Sequence, residues 1–142
     1  MTKLKIFEIT NKRIYIPLAQ HSIPAGFPSP ATEYEEDRLD LNELVVINPH
    51  ATFYMHVQGN SMIEANVNDG DILVVDRSIE AAHGHIVVAV IDGEFTVKKL
   101  YIRDGVIKLV PANPDYPDIV LNNEQELNVW GVVSHIIYKA IR

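Results

Sequence analysis

The feature that most limits the fold of this 142-residue chain is a train of short β-branched runs, each closed by turn residues. Residues 71–76 (DILVVD), 85–92 (HIVVAVID) and 106–110 (VIKLV) have the length and composition of strands, not of helices. Residues 52–57 alternate apolar or aromatic with polar, the period of a half-buried strand. Asp92-Gly93 is a two-residue hairpin signal, so 85–91 should fold back onto 94–102. Residues 127–141 form a long β-like stretch with Gly131 as a bend or bulge. One helix is expected. Asp40-Leu41-Asn42-Glu43 resembles a capping box, with Leu41, Leu44 and Val45 on one face and Asn48-Pro49 as the stop. Residues 111–117 (PANPDYP) read as a loop. Hairpin-linked strands with one short helix define a mainly β, mostly antiparallel domain.

Before that domain the pattern fails. Pro17, Pro24, Gly26, Pro28 and Pro30 crowd residues 17–32. Proline fixes φ and removes a backbone donor, so this segment reads as an extended, exposed connector. A boundary therefore falls here, with an arm at 1–25 and a compact domain at 26–142. Charge divides at the same place. Residues 1–25 carry Lys3, Lys5, Lys12 and Arg13 against Glu8 alone, a net +3. The rest holds 8 basic and 18 acidic side chains, a net −10. An acidic body repels phosphate backbones, so no direct sequence-specific DNA binding is expected of it. The basic arm suits either a solvated tail or contact with nucleic acid or a partner. It is too short for a helix-turn-helix module. With no cysteine, disulfides, thiolate metal sites and cysteine nucleophiles are excluded. No apolar run approaches the ~20 residues of a membrane span, and the N-terminus lacks a signal-peptide h-region. A soluble cytoplasmic protein is the expectation.

Two places carry candidate chemistry. The loop Gly59-Asn60-Ser61-Met62 follows a strand, and its glycine permits positive φ. Ser61 there is either a loop serine capping a turn or an exposed nucleophile, with the backbone amides of Asn60 and Ser61 facing a developing oxyanion. In residues 95–100 (FTVKKL), period two places Thr96, Lys98 and Leu100 on one face and Phe95, Val97 and Lys99 on the other. Both faces have apolar neighbours. Either both lysines snorkel to solvent, or one is buried, loses its charge and becomes a base able to take a serine proton. Alternation alone leaves open which lysine that is. The six histidines show no metal-ligand spacing, so no metal or cofactor is expected. Asp69, Asp71 and Asp76 fit turn chemistry better than a carboxylate pair. A Ser-His-Asp triad stays open, since triads are recognised by geometry, but no G-x-S-x-G elbow is present.

Taken together and in order, three segments narrow these alternatives. They are residues 25–30 (AGFPSP), 59–63 (GNSMI) and 92–100 (DGEFTVKKL). With 68–71 (NDGD) and 129–133 (VWGVV), they resemble the UmuD/LexA-type family of self-cleaving serine–lysine peptidases, from about Pro24 to the C-terminus. The resemblance implies a LexA-type, mostly β peptidase domain behind an extended arm. It implies cleavage between Ala25 and Gly26, with Ser61 as nucleophile and Lys98, not Lys99, as base. It also implies a homodimer whose cleavage is stimulated by a RecA filament on single-stranded DNA. The product would join a UmuC-like catalytic subunit of a Y-family polymerase in error-prone synthesis during the SOS response. UmuD-like proteins often have cysteine where this chain has Ala25, whereas LexA-type sites often have alanine. Only 25 residues precede the expected cut, too few for a repressor's DNA-binding domain, which favours the accessory-subunit branch. Two other classes are carried forward. One is a non-catalytic β-rich interaction module of a DNA-repair complex. The other is a signal-peptidase-like enzyme acting in trans, disfavoured by the lack of a membrane segment.

Overall fold

The computed structural model describes residues 12–20, 22–28, 30–31, 36–121 and 127–141. Lys3, Lys5, Glu8 and His21, considered above, lie outside them. The chain divides into two compact units, 1–44 and 45–142.

In the first unit, β1 (Ile16–Ala19) pairs antiparallel with β2 (Glu36–Leu39), with Ile16 opposite Leu39 and Ala19 opposite Glu36. The connector was expected to be extended, and β1 is, but its pairing was not anticipated. Pro17 is tolerated because a two-stranded ribbon has an unpaired edge on each strand. Between the strands, residues 22–28 are exposed and carry no regular element. The helix α1 (Leu41–Val45) starts where the capping signal sits. Asp40 is buried, and its carboxylate accepts the Asn42 N–H at 3.0 Å and the Ile14 N–H at 3.3 Å. The Glu43 carboxylate does not reach back to Asp40 as a full capping box requires. It accepts from Arg13 and from the Tyr15 hydroxyl, both at 3.3 Å. Leu41 and Leu44 share a helix face, yet both are more than half exposed.

The second unit is one antiparallel sheet of seven strands. They are β3 (Thr52–His56), β4 (Ile72–Asp76), β5 (Ile86–Ile91), β6 (Glu94–Arg103), β7 (Val106–Val110), β8 (Ile119–Val120) and β9 (Asn128–Ile137). Their order is β3-β4-β9-β5-β6-β7-β8, so the last long strand is inserted between β4 and β5. The mainly β, antiparallel expectation holds. Asp92 and Gly93 both take positive φ, the conformation a tight hairpin demands, and Asp104-Gly105 repeats it between β6 and β7. β5 is buried on both faces. Val88 joins a core with Val57, Met62, Val67, Leu73 and Val75, while Val87 and Ala89 join a second with Leu100, Leu109 and Val132.

Gly131 sits where the β5–β9 register shifts, opposite Val88, and the residue skipped in pairing is Trp130. The need for glycine there is steric. A Cβ on Gly131 would lie 2.6 Å from Val75 Cγ1 on β4. Asp71 and Asp76 do turn work, as their spacing suggested. Asp71 accepts the Asn68 N–H at 2.8 Å, and Asp76 accepts the N–H and hydroxyl of Ser78 at 2.8 and 2.6 Å. Among the described residues, no helix is long and apolar enough to cross a membrane.

Candidate active site

Ser61 follows β3 in a loop that is tied down around it. Gly59 adopts φ +94°, and its N–H donates to Asp69 at 2.8 Å. The Asn60 carbonyl accepts from Asn113 Nδ2 at 2.8 Å, and its side-chain oxygen accepts from the Tyr116 hydroxyl at 2.7 Å. Met62 is 1% exposed, packs in the first core and accepts the Ala112 N–H on its sulfur at 3.3 Å. The short 3-10 turn Ile63–Ala65 follows, joined to Ala112 by the Glu64 N–H at 2.8 Å. The loop therefore rests on residues 112–116, the stretch whose prolines marked it as a loop. Among the described residues, no acceptor is bonded to the N–H groups of Asn60 and Ser61.

Lys98 projects from β6 and is 9% exposed, whereas Lys99 is exposed. Alternation separated the two lysines, and packing decides between them: Lys98 and Leu100 are the buried pair on this strand. Lys98 Nζ lies 3.0 Å from Ser61 Oγ, 2.9 Å from Thr96 Oγ1 and 2.9 Å from the Val97 carbonyl. All three partners are uncharged. Burial is the cause that lowers the Lys98 pKa below the usual lysine value. A neutral amine has two N–H bonds and one lone pair. In the neutral form, N–H bonds directed at Thr96 and Val97 leave the lone pair towards Ser61, where it can accept the O–H. The arrangement can thus remove a serine proton without a histidine.

Both residues line a cavity of about 340 Å³. Val57, Leu73 and Val88 give it apolar walls, and Phe95, Thr96 and His56 also line it. His83 and His85 are engaged elsewhere, their Nδ1 atoms accepting the N–H groups of Ile102 at 3.0 Å and Ala82 at 3.1 Å. Among the described residues, no group of three or more metal-ligating side chains is assembled. Ala25 and Gly26 belong to the first unit, in an exposed bend. Thr96, Asn113 and Tyr116 were not singled out from sequence. Thr96 had a signal, since it lies two residues before Lys98 on the same strand face. Asn113 and Tyr116 had none, because their role exists only once the fold brings them to Asn60.

Comparison with known proteins identifies the family of the chain. The family described as Peptidase S24-like matches residues 17–134. Protein MucA of Salmonella typhimurium is 46% identical over 136 residues, covering 94% of this chain and 92% of that protein. Protein SamA of Salmonella typhimurium is 45% identical over 123 residues, covering 87% of this chain and 85% of the relative. The LexA repressor of Azoarcus is 37% identical over 116 residues, covering 81% of this chain and 57% of the repressor. The match spans the ribbon strand β1, the Ser61 loop, β6 and most of β9, and on that evidence the chain belongs to the S24-like family of serine peptidases.

Proposed function

We propose that this chain is a self-cleaving serine–lysine peptidase that cuts its own Ala25–Gly26 bond. The observation that carries the reading is the 3.0 Å approach of Ser61 Oγ to a lysine amine with burial-lowered pKa and no charged partner among its hydrogen bonds. Ser61 Oγ attacks the Ala25 carbonyl carbon, and its proton passes to Lys98 Nζ. The N–H groups of Asn60 and Ser61 receive the oxyanion. As the C–N bond breaks, the Lys98 ammonium protonates the Gly26 amine. Ala25 is left as an ester on Ser61. Water, deprotonated by Lys98, then hydrolyses it and restores the serine. Thr96 and the Val97 carbonyl position the amine and do not touch substrate. Small residues on both sides of the cut suit close approach of a backbone to the cavity.

In this reading residues 1–25 are a removable arm and 26–142 the working product. Because the scissile bond is on the same chain, its effective concentration is high, and cleavage is set by the fraction of time it is docked. A RecA filament on single-stranded DNA that favours the docked state activates cleavage without supplying a catalytic group. The product, as a homodimer, serves as accessory subunit to a UmuC-like Y-family polymerase in SOS mutagenesis. Similarity to proteins MucA and SamA along most of their length supports this branch over the repressor.

Intact-mass spectrometry at mildly alkaline pH, with and without activated filament, tests it. Fragments 1–25 and 26–142, absent from Ser61→Ala and Lys98→Ala, are expected. A chain left whole under both conditions would instead favour the non-catalytic interaction module.

A further inference from the structure

Beside the catalytic cavity lies an aromatic cluster that the chemistry above does not use. Trp130, the only tryptophan of the chain, meets Phe53 edge to face at 4.9 Å and Phe95 at 5.6 Å between ring centroids. The Arg77 guanidinium stands 4.6 Å from the indole centroid, and its Nε donates to the Trp130 carbonyl at 2.8 Å. The indole is thus held from three sides, yet Phe53 remains 42% and Phe95 57% exposed. Grouped exposed aromatics, unlike scattered ones, mark a binding surface. Phe95 also lines the cavity that holds Ser61 and Lys98, so the cluster meets the catalytic cavity through that ring.

The residues flanking the expected cut supply an occupant of matching chemistry. Phe27 is 92% exposed, so a pocket that covers it gains by removing its apolar surface from water. In an extended segment, Phe27 lies roughly 7 Å beyond Ala25, with its side chain on the same side. Ser61 and Phe95 line the same cavity, so a segment with Ala25 at the serine carries Phe27 along that wall. An aromatic guest also gains edge-to-face contacts that an aliphatic one does not. We infer that the Phe53–Trp130–Phe95 cluster is the subsite for the Phe27 side chain, so that an aromatic residue two positions after Ala25 sets the Ala25–Gly26 bond in register with Ser61. The inference rests on the reading that this bond is the one cut. It adds a specificity rule: two small residues followed directly by an aromatic one.

Trp130 gives a readout of docking that needs no catalysis. The full-length chain carrying Ser61→Ala and Phe27→Ala is titrated with a synthetic peptide spanning residues 20–31. A saturable blue shift of tryptophan emission is expected, at least tenfold weaker in affinity for the same peptide carrying Phe27→Ala, and similarly weakened by Phe95→Ala in the protein. In otherwise intact chains, Phe27→Ala and Phe95→Ala each slow self-cleavage about tenfold, and the double variant is no slower than either one. Equal affinity of the two peptides, or losses that multiply in the double variant, overturns the subsite. So does an emission shift that depends on protein concentration and persists without peptide, which would assign the patch to a second copy. Peptide docking that needs Phe27 in a chain never cut at Ala25–Gly26 would keep the subsite and sink the cleavage reading. Normal cutting with no Phe27 dependence would do the reverse.

Discussion

The two units of this chain place their apolar residues in opposite ways. In the described part of the first, Asp40 alone is buried, while Ile14, Ile16, Leu18, Ile23, Phe27, Leu41 and Leu44 are all exposed. In the second, Val67, Val74, Val75, Val87, Ala89 and Leu109 are sealed from solvent. An isolated two-stranded ribbon is marginal in water, whereas a sheet with two buried clusters has its own driving force. The contrast assigns tasks. In the proposed chemistry, fixed geometry is needed where a proton moves between Ser61 and Lys98, and the sheet supplies it. Accessibility is needed where a peptide bond must reach a cleft, and the ribbon segment has it. Changes in the sheet should therefore act on chemistry or global stability, and changes in the ribbon on docking or local order.

The largest effect tests the chemistry. Ser61→Ala and Lys98→Ala should each lower self-cleavage on the order of 10⁴-fold, the scale for losing a member of a catalytic unit. Lys99→Ala, one residue away on the exposed face, should leave the rate within about twofold, as surface changes usually do. Mass spectrometry over time measures all three, and a loss with Lys99→Ala equal to that of Lys98→Ala would break the assignment. The pH dependence carries the same signature. Burial lowers the Lys98 pKa in the folded chain, while an unfolded lysine titrates near ~10.4. Between those values the unfolded chain binds more protons, so stability rises with pH across that window. With the neutral amine as the proposed base, cleavage should rise as pH climbs through the folded value. Lys98→Met should remove the stability rise, which denaturant titration at several pH values would reveal.

The next effect belongs to the fold. Gly131→Ala would put a Cβ 2.6 Å from Val75 Cγ1 between two packed strands. Overpacking of this kind costs about 1–3 kcal/mol, read as a lower urea midpoint with unchanged slope. A midpoint at the wild-type value would mean that β4 and β9 yield more easily than a rigid frame should.

A smaller and more local effect is expected at Thr96. Thr96→Val removes an acceptor from Lys98 Nζ while keeping the shape of the side chain. Cleavage should fall about tenfold, the scale of one oriented hydrogen bond to a charge-bearing group. Losing that acceptor disfavours the ammonium further, so the rise of rate with pH should begin at lower pH. Thr96→Ser should restore both. A rate loss with no shift of the profile would reduce Thr96 to packing.

These sites differ in how much of them a linear reading reaches. β7 begins and ends where its β-branched run does, and the Asp92-Gly93 turn joins the strands it should, because both signals are local. The β1–β2 pairing was hidden because Pro17 argues against a strand, and only the unpaired edges of a ribbon excuse it. Alternation put Lys98 and Lys99 on opposite faces but left open which was inside, since each face carries apolar neighbours. That choice is made by packing against strands distant in sequence. Ser61 and Lys98 stand 37 positions apart, and nothing between them encodes a 3.0 Å approach. Their pairing was legible through family resemblance, which carries the folded answer with it. The supports beneath Asn60 escaped because Asn113 and Tyr116 look like ordinary loop residues until the 111–117 loop lies under it.

The smallest effect probes whether the two units are energetically separate. The Asp40 carboxylate caps α1 through the Asn42 N–H and also holds the Ile14 N–H just before β1. Its loss in Asp40→Ala should cost about 1 kcal/mol, the ordinary value of a helix cap. The Arg13–Glu43 pair cannot compensate, because an ion pair this exposed is worth at most about 1 kcal/mol and is screened by salt. If the ribbon is an independent unit, that cost is confined to it. Amide exchange should quicken at residues 14–19 and 36–45 while protection in β4, β5 and β9 stays as it was, since opening free energies differ between cooperative units. The urea midpoint of the sheet should not move. Self-cleavage should change by less than about threefold, because the serine and lysine keep their frame and the peptide was already accessible. A fall in sheet protection equal to that of the ribbon would mean that the two units unfold together. The division of tasks would then rest on exposure alone and not on independent stability.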